Sequence, residues 1–274
     1  MQGVPGQFEH TQDRAQFRRP AHRDGIELYR AHIVRHEFDP HTHDAYGLGA
    51  IESGVERFRY RGSEHLAPPD SRVMMNPDVL HTGHAETEGG WRYRMAYIDA
   101  DVVQAVTGDD SWWFRDAVHH DPARAHRVTA LLDALWHADE PLAFDSLLLS
   151  LLGTFRDQAR IGRPDTPTAA PRFANVVEYL RANLAERVTL EELAAVADLS
   201  PFHFLRAFRD HHDVTPQQML MAMRLAEAKR RLAAGDTPAR VAAAVGLSDQ
   251  AHLTRAFARR YAVTPARYRQ QLRG

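Results

Sequence analysis

Cysteine is absent from the 274-residue chain, which excludes disulfides, thiolate metal sites and a cysteine nucleophile. Long apolar runs are absent too. The longest, around Leu147 to Phe155, falls far short of the ~18–20 residues that span a bilayer. The opening stretch MQGVPGQFEHTQDRAQFRRP lacks the apolar centre of a secretory signal, so a cytoplasmic protein with no membrane partner is expected. There is no Gly-rich phosphate loop, no G-x-S-x-G and no H-E-x-x-H, so the common sequence marks of phosphate-loop, serine-hydrolase and zinc-protease chemistry are missing. A net charge is nearly missing as well, with 34 Lys+Arg against 36 Asp+Glu. That balance hides an asymmetry. From Arg172 onward there are 16 Lys+Arg against 10 Asp+Glu, and before it 18 against 26. A basic carboxy-terminal part beside an acidic amino-terminal part is what results when only the former meets phosphate.

What the chain does have is a stretch written twice between Thr189 and Pro265. Leu199-Ser200 matches Leu247-Ser248, Arg206-Ala207-Phe208 matches Arg255-Ala256-Phe257, and Val214-Thr215-Pro216 matches Val263-Thr264-Pro265. Two copies are too few for a solenoid. Each copy opens with a helix start: Thr189 with Glu192 makes a capping box, and Thr237 precedes Pro238 at a first helical position. Each first helix runs about two turns and breaks at Asp198-Leu199-Ser200 or Gly246-Leu247-Ser248. Ser200 and Ser248 then suit the cap of a second helix. Phe204, Leu205 and Phe208, and in the other copy Leu253, Ala256 and Phe257, fall on one buried face.

Alanines crowd both first helices (Ala194, Ala195, Ala197; Ala242, Ala243, Ala244) and allow the close crossing of a helix-turn-helix. In that motif the second helix enters the major groove. The outward positions are Phe202, His203 and Arg206 in the first copy, and Gln250, Ala251, Thr254 and Arg255 in the second. Arginine pairs with guanine, glutamine with adenine, and small apolar groups meet the thymine methyl. One arginine on one helix is an ordinary solvated charge; two in the same register of a repeat point to DNA. Thr215-Pro216 opens a long helix, QQMLMAMRLAEAKRRLAAG, ending near Gly235. As a rigid spacer it would set the two second helices into successive major grooves about 34 Å apart.

These segments, TLEELAAVADLSPFHFLRAFRD, MRLAEAKRRLAAG and VAAAVGLSDQAHLTRAFARRYAVTPARYR, resemble the DNA-binding domain of the AraC/XylS transcription regulators over about the last hundred residues. The resemblance implies two helix-turn-helix units reading double-stranded promoter DNA, with RNA polymerase as a partner there. Asp213 and Ala262 stand where the family usually has a turn glycine, and Leu247 replaces a usual phenylalanine. If the turn needs a positive φ, the first two departures cost stability.

Residues 1–24 show no periodicity and are expected to form a loose arm. From Ile26 to Asp99, short apolar segments (IELYRAHIV, YGLGAIESG, VERFRYRG, RVMMNP, WRYRMAYID) suggest strands of a β-sandwich or barrel. From Trp112 to Arg160 the pattern turns helical, in ARAHRVTALLDALWHA and LAFDSLLLSLLGTFRDQAR. Leucines on more than one side of the latter fit either packing on the strands or pairing within a homodimer. GRPDTPTAAP (162–171) reads as a semi-stiff linker. The expected fold class is α+β in two domains: 1–161, a β domain with following helices, and 172–274, an all-α domain with twin motifs joined by a long helix.

Thirteen of the 17 histidines precede that linker. His41 and His43, at i and i+2 on a strand, would share a face, and His81 could join them from a facing strand. Three imidazoles around a cavity suit zinc, iron or nickel. PHTHDAYGLGAIESG and MMNPDVLHTG resemble the two signature stretches of the small cupin barrel that often precedes the regulator domain. Metal-binding cupins usually carry a glutamate where Gly47 stands. The favoured reading is therefore a pocket for a small organic effector without a cofactor, a divalent metal on His41, His43 and His81 being the alternative. Trp91, Tyr93 and Met95 alternate along one strand and serve equally as core or as pocket wall. By resemblance to the family's sensor pockets, His81, Tyr93 and Met95 face the ligand. The expected protein is an effector-sensing regulator and not an enzyme; the competing reading is a metal-dependent cupin oxygenase or isomerase with a fused helical module.

Overall fold

A computed structural model describes residues 12–109, 111–161 and 173–272. The first eleven residues of the expected arm, and the expected linker 162–171, lie outside the described residues. The rest of the arm is not loose. It forms strand β1 (Arg14–Arg18), whose Ala15 and Phe17 are buried while Arg14 and Gln16 face out, the two-residue period of a strand with one covered face. There follow β2 (Ile26–Ile33), β3 (Phe38–His41), β4 (Tyr46–Ser53), β5 (Glu56–Tyr60), β6 (Ser63–Ala67), β7 (Ser71–Met75), β8 (His81–Ala85) and β9 (Trp91–Ile98). Helix α1 (Ala100–Thr107) and strands β10 (Trp112–Phe114) and β11 (Val118–His120) lead to helices α2 (Pro122–His137) and α3 (Pro141–Gly153), and then to β12 (Ala159–Ile161). The stretch read as helical from Trp112 to Arg160 is thus helical only in its middle. Its two ends pair with each other, Trp112 opposite Ile161.

Apart from the β10–β12 pair, the strands form two sheets and not, among the described residues, one closed barrel. One has the order β1-β2-β9-β4-β7-β11, the other β3-β8-β5-β6. Their inner faces share a core: Tyr29, Ile51, Val73, Met75, Trp91, Tyr93 and Met95 meet Phe58 and Tyr60. The opposite face of the larger sheet (Leu28, Leu48, Ala50, Met74, Ala96) is covered by Val128, Leu132 and Leu135 of α2 and Phe144, Leu148 and Leu152 of α3. Helix α3 leaves Leu142 and Leu149 exposed, 74% and 55%. Gly49 of β4 permits the tight inner layer, because a Cβ there would lie 2.0 Å from the Arg94 carbonyl oxygen and 2.2 Å from Met95 Sδ.

The carboxy-terminal part is all helix: α4 (Ala174–Ala182), α5 (Leu190–Val196), α6 (Pro201–His212), α7 (Pro216–Ala233), α8 (Pro238–Ala244), α9 (Gln250–Tyr261) and α10 (Pro265–Gln271). Thr189 and Thr215 make full capping boxes for α5 and α7. Ser200 caps α6. For α9 the cap is Asp249, one residue after the expected Ser248, because the extra residue in this copy moves the start of the helix. Thr237 sits at the cap of α8 without a side-chain bond, Pro238 alone marking the start. Asp213 and Ala262 do adopt positive φ, 61° and 58°, so both bear the strain that a glycine would avoid.

The two helical units are not equivalent in packing. Phe173, Val176, Leu193, Phe204, Phe208 and Leu220 form a separate core around α4 to α6. Leu225, Leu232, Val241, Leu253, Phe257 and Tyr268 of the second unit instead continue the core of the sandwich. Polar bonds secure that contact. Gln271 accepts from the Phe17 backbone N–H (3.0 Å) and donates to the Ala15 carbonyl (3.1 Å), occupying the free edge of β1, where an unpaired strand would otherwise invite another chain. Tyr268 donates to Glu27 at 2.6 Å, Arg19 Nε at 3.0 Å, and Lys229 Nζ also bonds this carboxylate. Burial would raise the Glu27 carboxyl; Lys229 and Arg19 outweigh it and hold it low. Burial pulls the Lys229 ammonium down against the opposing pull of Glu27. With three donors on one carboxylate, we assign the pair as ionised.

Candidate functional site

Two sites emerge, one on the helices and one inside the sandwich. Helices α5 and α6, and again α8 and α9, cross through the tight turns expected of the repeat. The first turn contains Asp198 at φ 52° and the second Gly246 at φ 70°. At Gly246 a Cβ would stand 2.3 Å from the Ala185 carbonyl oxygen, so only glycine fits. On α6, Phe202, His203 and Arg206 are exposed, Phe202 by 72%. On α9, Gln250, Ala251 and Arg255 are exposed. Thr254 is not: it is buried, and its hydroxyl donates to the Gln250 carbonyl at 2.8 Å. Thr254 precedes Arg255 as Leu205 precedes Arg206, so it takes the place of Leu205 on the inward side of the helix and leaves the expected reading face.

Inside the sandwich, His41 lies directly opposite His81 in the β3–β8 pair, so His81 comes from the adjacent strand and not from a facing one. His43 lies just past the end of β3, with its ring centroid 5.0 Å from His41 and 5.2 Å from His81. Nδ1 of His41 bonds the Asp39 carbonyl at 2.9 Å, and Nδ1 of His81 bonds the Val79 carbonyl at 3.0 Å. A carbonyl can only accept, so both Nδ1 atoms carry hydrogen and both Nε2 atoms are bare lone pairs. Burial holds His41 and His43 well below the usual imidazole range and pushes His81 down to about 4. All three are neutral at physiological pH.

One ligand nitrogen from each histidine falls within 4.8 Å of the others. Bonds of about 2.0–2.1 Å to zinc need nitrogens somewhat nearer than that. A carbonyl fixes two of the three tautomers, so these three side chains are the ones that could hold an ion if drawn closer together. No carboxylate completes the set at Gly47, where a Cβ would already meet Met75, Met95 and Tyr97 at 3.2–3.4 Å.

The histidines border a small cavity of about 40 Å³ that Tyr93 and Met95 also line. Three further members carry no sequence signal. Glu56 points inward from β5, and burial pushes its carboxyl up to about 8. Arg260 and Tyr261 reach the cavity from the last turn of α9. The second helix-turn-helix unit therefore forms part of the cavity wall. Spacing along the chain could not reveal this, since Arg260 bonds the Pro40 carbonyl 220 residues away.

Twin helix-turn-helix units beside a two-sheet domain with an internal cavity define the class: a ligand-binding regulator of transcription. Comparison with known proteins agrees. The AraC-like ligand binding domain model matches residues 25–152, and a helix-turn-helix domain model matches residues 193–271. An uncharacterized HTH-type transcriptional regulator, YbfI of Bacillus subtilis, is 28% identical over 83% of this chain and 86% of its own. A probable transcriptional regulator, LumQ of Photobacterium leiognathi, is 24% identical over 76% of this chain and 85% of its own. Among solved structures, unsaturated fatty acid bound ToxT from Vibrio cholerae superposes with a TM-score of 0.57 at 10% identity, covering 96% of each chain, a likeness of fold. The chain belongs to the AraC family of transcription regulators. Among the described residues, no helix is long and apolar enough to cross a membrane.

Proposed function

We propose that α6 and α9 read promoter DNA through Phe202, His203 and Arg206 of one unit and Gln250, Ala251 and Arg255 of the other. A small effector held among His41, His43, His81, Tyr93 and Met95 controls that reading. The observation that carries the proposal is the exposed arginine at the same register of two capped helices, Arg206 and Arg255. Helix α7, with 18 residues, is about 27 Å long and is the spacer between the units. The effector acts only if its affinity differs between the DNA-competent and the other arrangement. The protein works as a cytoplasmic regulator and not as an enzyme, with RNA polymerase as its partner at the promoter. A divalent ion, if used, would be held by His41, His43 and His81 and would supply a positive charge for an effector oxygen. Leu142 and Leu149, exposed one above the other on α3, support pairing of two copies through this helix.

The test is a hydroxyl-radical footprint on the DNA upstream of the coding region. Two protected patches on one face of the duplex, about one helical turn apart, are expected for each chain. Protection spread evenly over the fragment would overturn the reading, because it would mean binding through phosphates alone.

A further inference from the structure

The polar atoms around the sandwich cavity are poorly satisfied. Among the described residues, Nε and Nη1 of Arg260, the hydroxyl of Tyr261 and Nε2 of His43 are all buried without a hydrogen-bond partner. Arg260 is 3% exposed and Tyr261 is 3% exposed. The only partner of the guanidinium is the Pro40 carbonyl, and no carboxylate lies within ion-pairing distance of it among the described residues. Buried polar groups are ordinarily paired, and a buried unpaired cation is the most costly exception. The residues that carry these four atoms all line one cavity, which is how a polar ligand is recognised.

Their chemistry specifies it. Nε and Nη1 of Arg260 and the Tyr261 hydroxyl can donate and, among the described residues, lack an acceptor. The Nε2 lone pairs of His41 and His81, fixed by their carbonyl-bound Nδ1 atoms, can accept, and Nε2 of His43 has no partner among the described residues. The cavity of about 40 Å³ has room for about three waters, which is the space of a very small organic molecule. We infer that the cavity binds a compact hydroxy-carboxylate, its carboxylate on Arg260 and Tyr261 and its hydroxyl donating to the imidazoles. This rests on the effector-pocket reading above and names the effector's class. Because Arg260 and Tyr261 end α9 while the imidazoles belong to the sandwich, the ligand bridges the DNA-reading unit and the sensor.

The experiment is thermal unfolding of the full chain, without DNA, in chelator-containing buffer, titrated with glycolate. Acetate, which lacks the hydroxyl, and glycolamide, which lacks the charge, are the controls. A saturable rise of roughly 5 °C with glycolate is expected, with a weaker effect of acetate and none of glycolamide. Arg260→Gln should weaken glycolate binding about tenfold or more, and Tyr261→Phe, which removes a single hydroxyl, severalfold. If Arg260→Gln does not fold, Tyr261→Phe carries the test alone. Equal stabilisation by glycolamide, unchanged glycolate affinity in the variants, or a response that appears only on adding zinc overturns the inference. DNA binding is not measured here, so the regulator reading stands or falls separately by its footprint.

Discussion

The pair Glu27–Lys229 joins the sandwich to the long helix α7 and allows a quantitative test of how firmly the two parts are coupled. Its side chains are 5% and 11% exposed. The ammonium also lies 4.8 Å from the Phe17 ring centre and 5.0 Å from that of Tyr261. Lys229→Met leaves Glu27 with Arg19 and Tyr268 but without its buried counter-charge, and removing one partner of such a pair typically costs about 3–5 kcal/mol. Glu27→Gln strands the ammonium and should cost a similar amount. The double variant leaves neither charge unpaired, so its cost should fall short of the sum by about 2–3 kcal/mol. The assay is urea unfolding followed by two signals. All four tryptophans (Trp91, Trp112, Trp113, Trp136) precede residue 161 and report on the sensor, whereas circular dichroism is dominated by the helices. Wild type should give coincident transitions, and Lys229→Met should lose helix at lower urea than tryptophan packing. Additive costs with coincident curves would refute the coupling.

Three further outcomes follow from the same geometry. Glu56, pushed up to about 8 by burial, keeps its proton in the folded chain while the unfolded chain releases it above about 4.5. Stability from this group is full below that value and falls as pH rises toward 8, so Glu56→Gln should stabilise the chain at pH 8 by roughly 3–5 kcal/mol in urea titrations; no gain would mean the carboxyl is solvated. His81 works in the opposite sense. With its folded value near 4 against about 6.5 unfolded, its contribution is present above pH 6.5 and is lost as pH falls to 4, up to about 3 kcal/mol. His81→Gln should flatten that acid limb. Gly246→Ala combines a left-handed φ with a contact on the Ala185 carbonyl oxygen and should cost about 2–4 kcal/mol, visible as early loss of helix; a cost below 0.5 kcal/mol would show that the turn can relax (about the level of a neutral surface change).

The helices of the carboxy-terminal part were legible because caps, prolines and three- and four-residue spacing all agreed, and because the pattern occurs twice. The inner strands β2, β4, β7 and β9 were legible as apolar runs. The outer strands were less so: β6 reads SEHLA and carries no apolar run, and β3 and β8, which read FDPH and HTGHA, were marked only by their histidines. Strand β1 was hidden in a charged stretch, and α1 in an eight-residue segment too short to show a period. Of the cavity's histidines, His41 and His43 were marked by i, i+2 spacing and His81 was named beside them, whereas nothing in the spacing marks Arg260 and Tyr261. Their role is set by packing between residues more than two hundred positions apart. Thr254 was misplaced because it stands in the register of Leu205, where an apolar side chain marks the inward side of the helix and a threonine does not.

The central claim is that this chain reads DNA with the paired arginines of α6 and α9. Fluorescence anisotropy on the upstream DNA, against scrambled DNA at near-physiological salt, tests it most directly. Wild type should prefer the native sequence. Arg206→Ala and Arg255→Ala should each weaken specific binding by about 1–3 kcal/mol, and together they should abolish the preference. A double variant that discriminates as well as wild type would contradict the account.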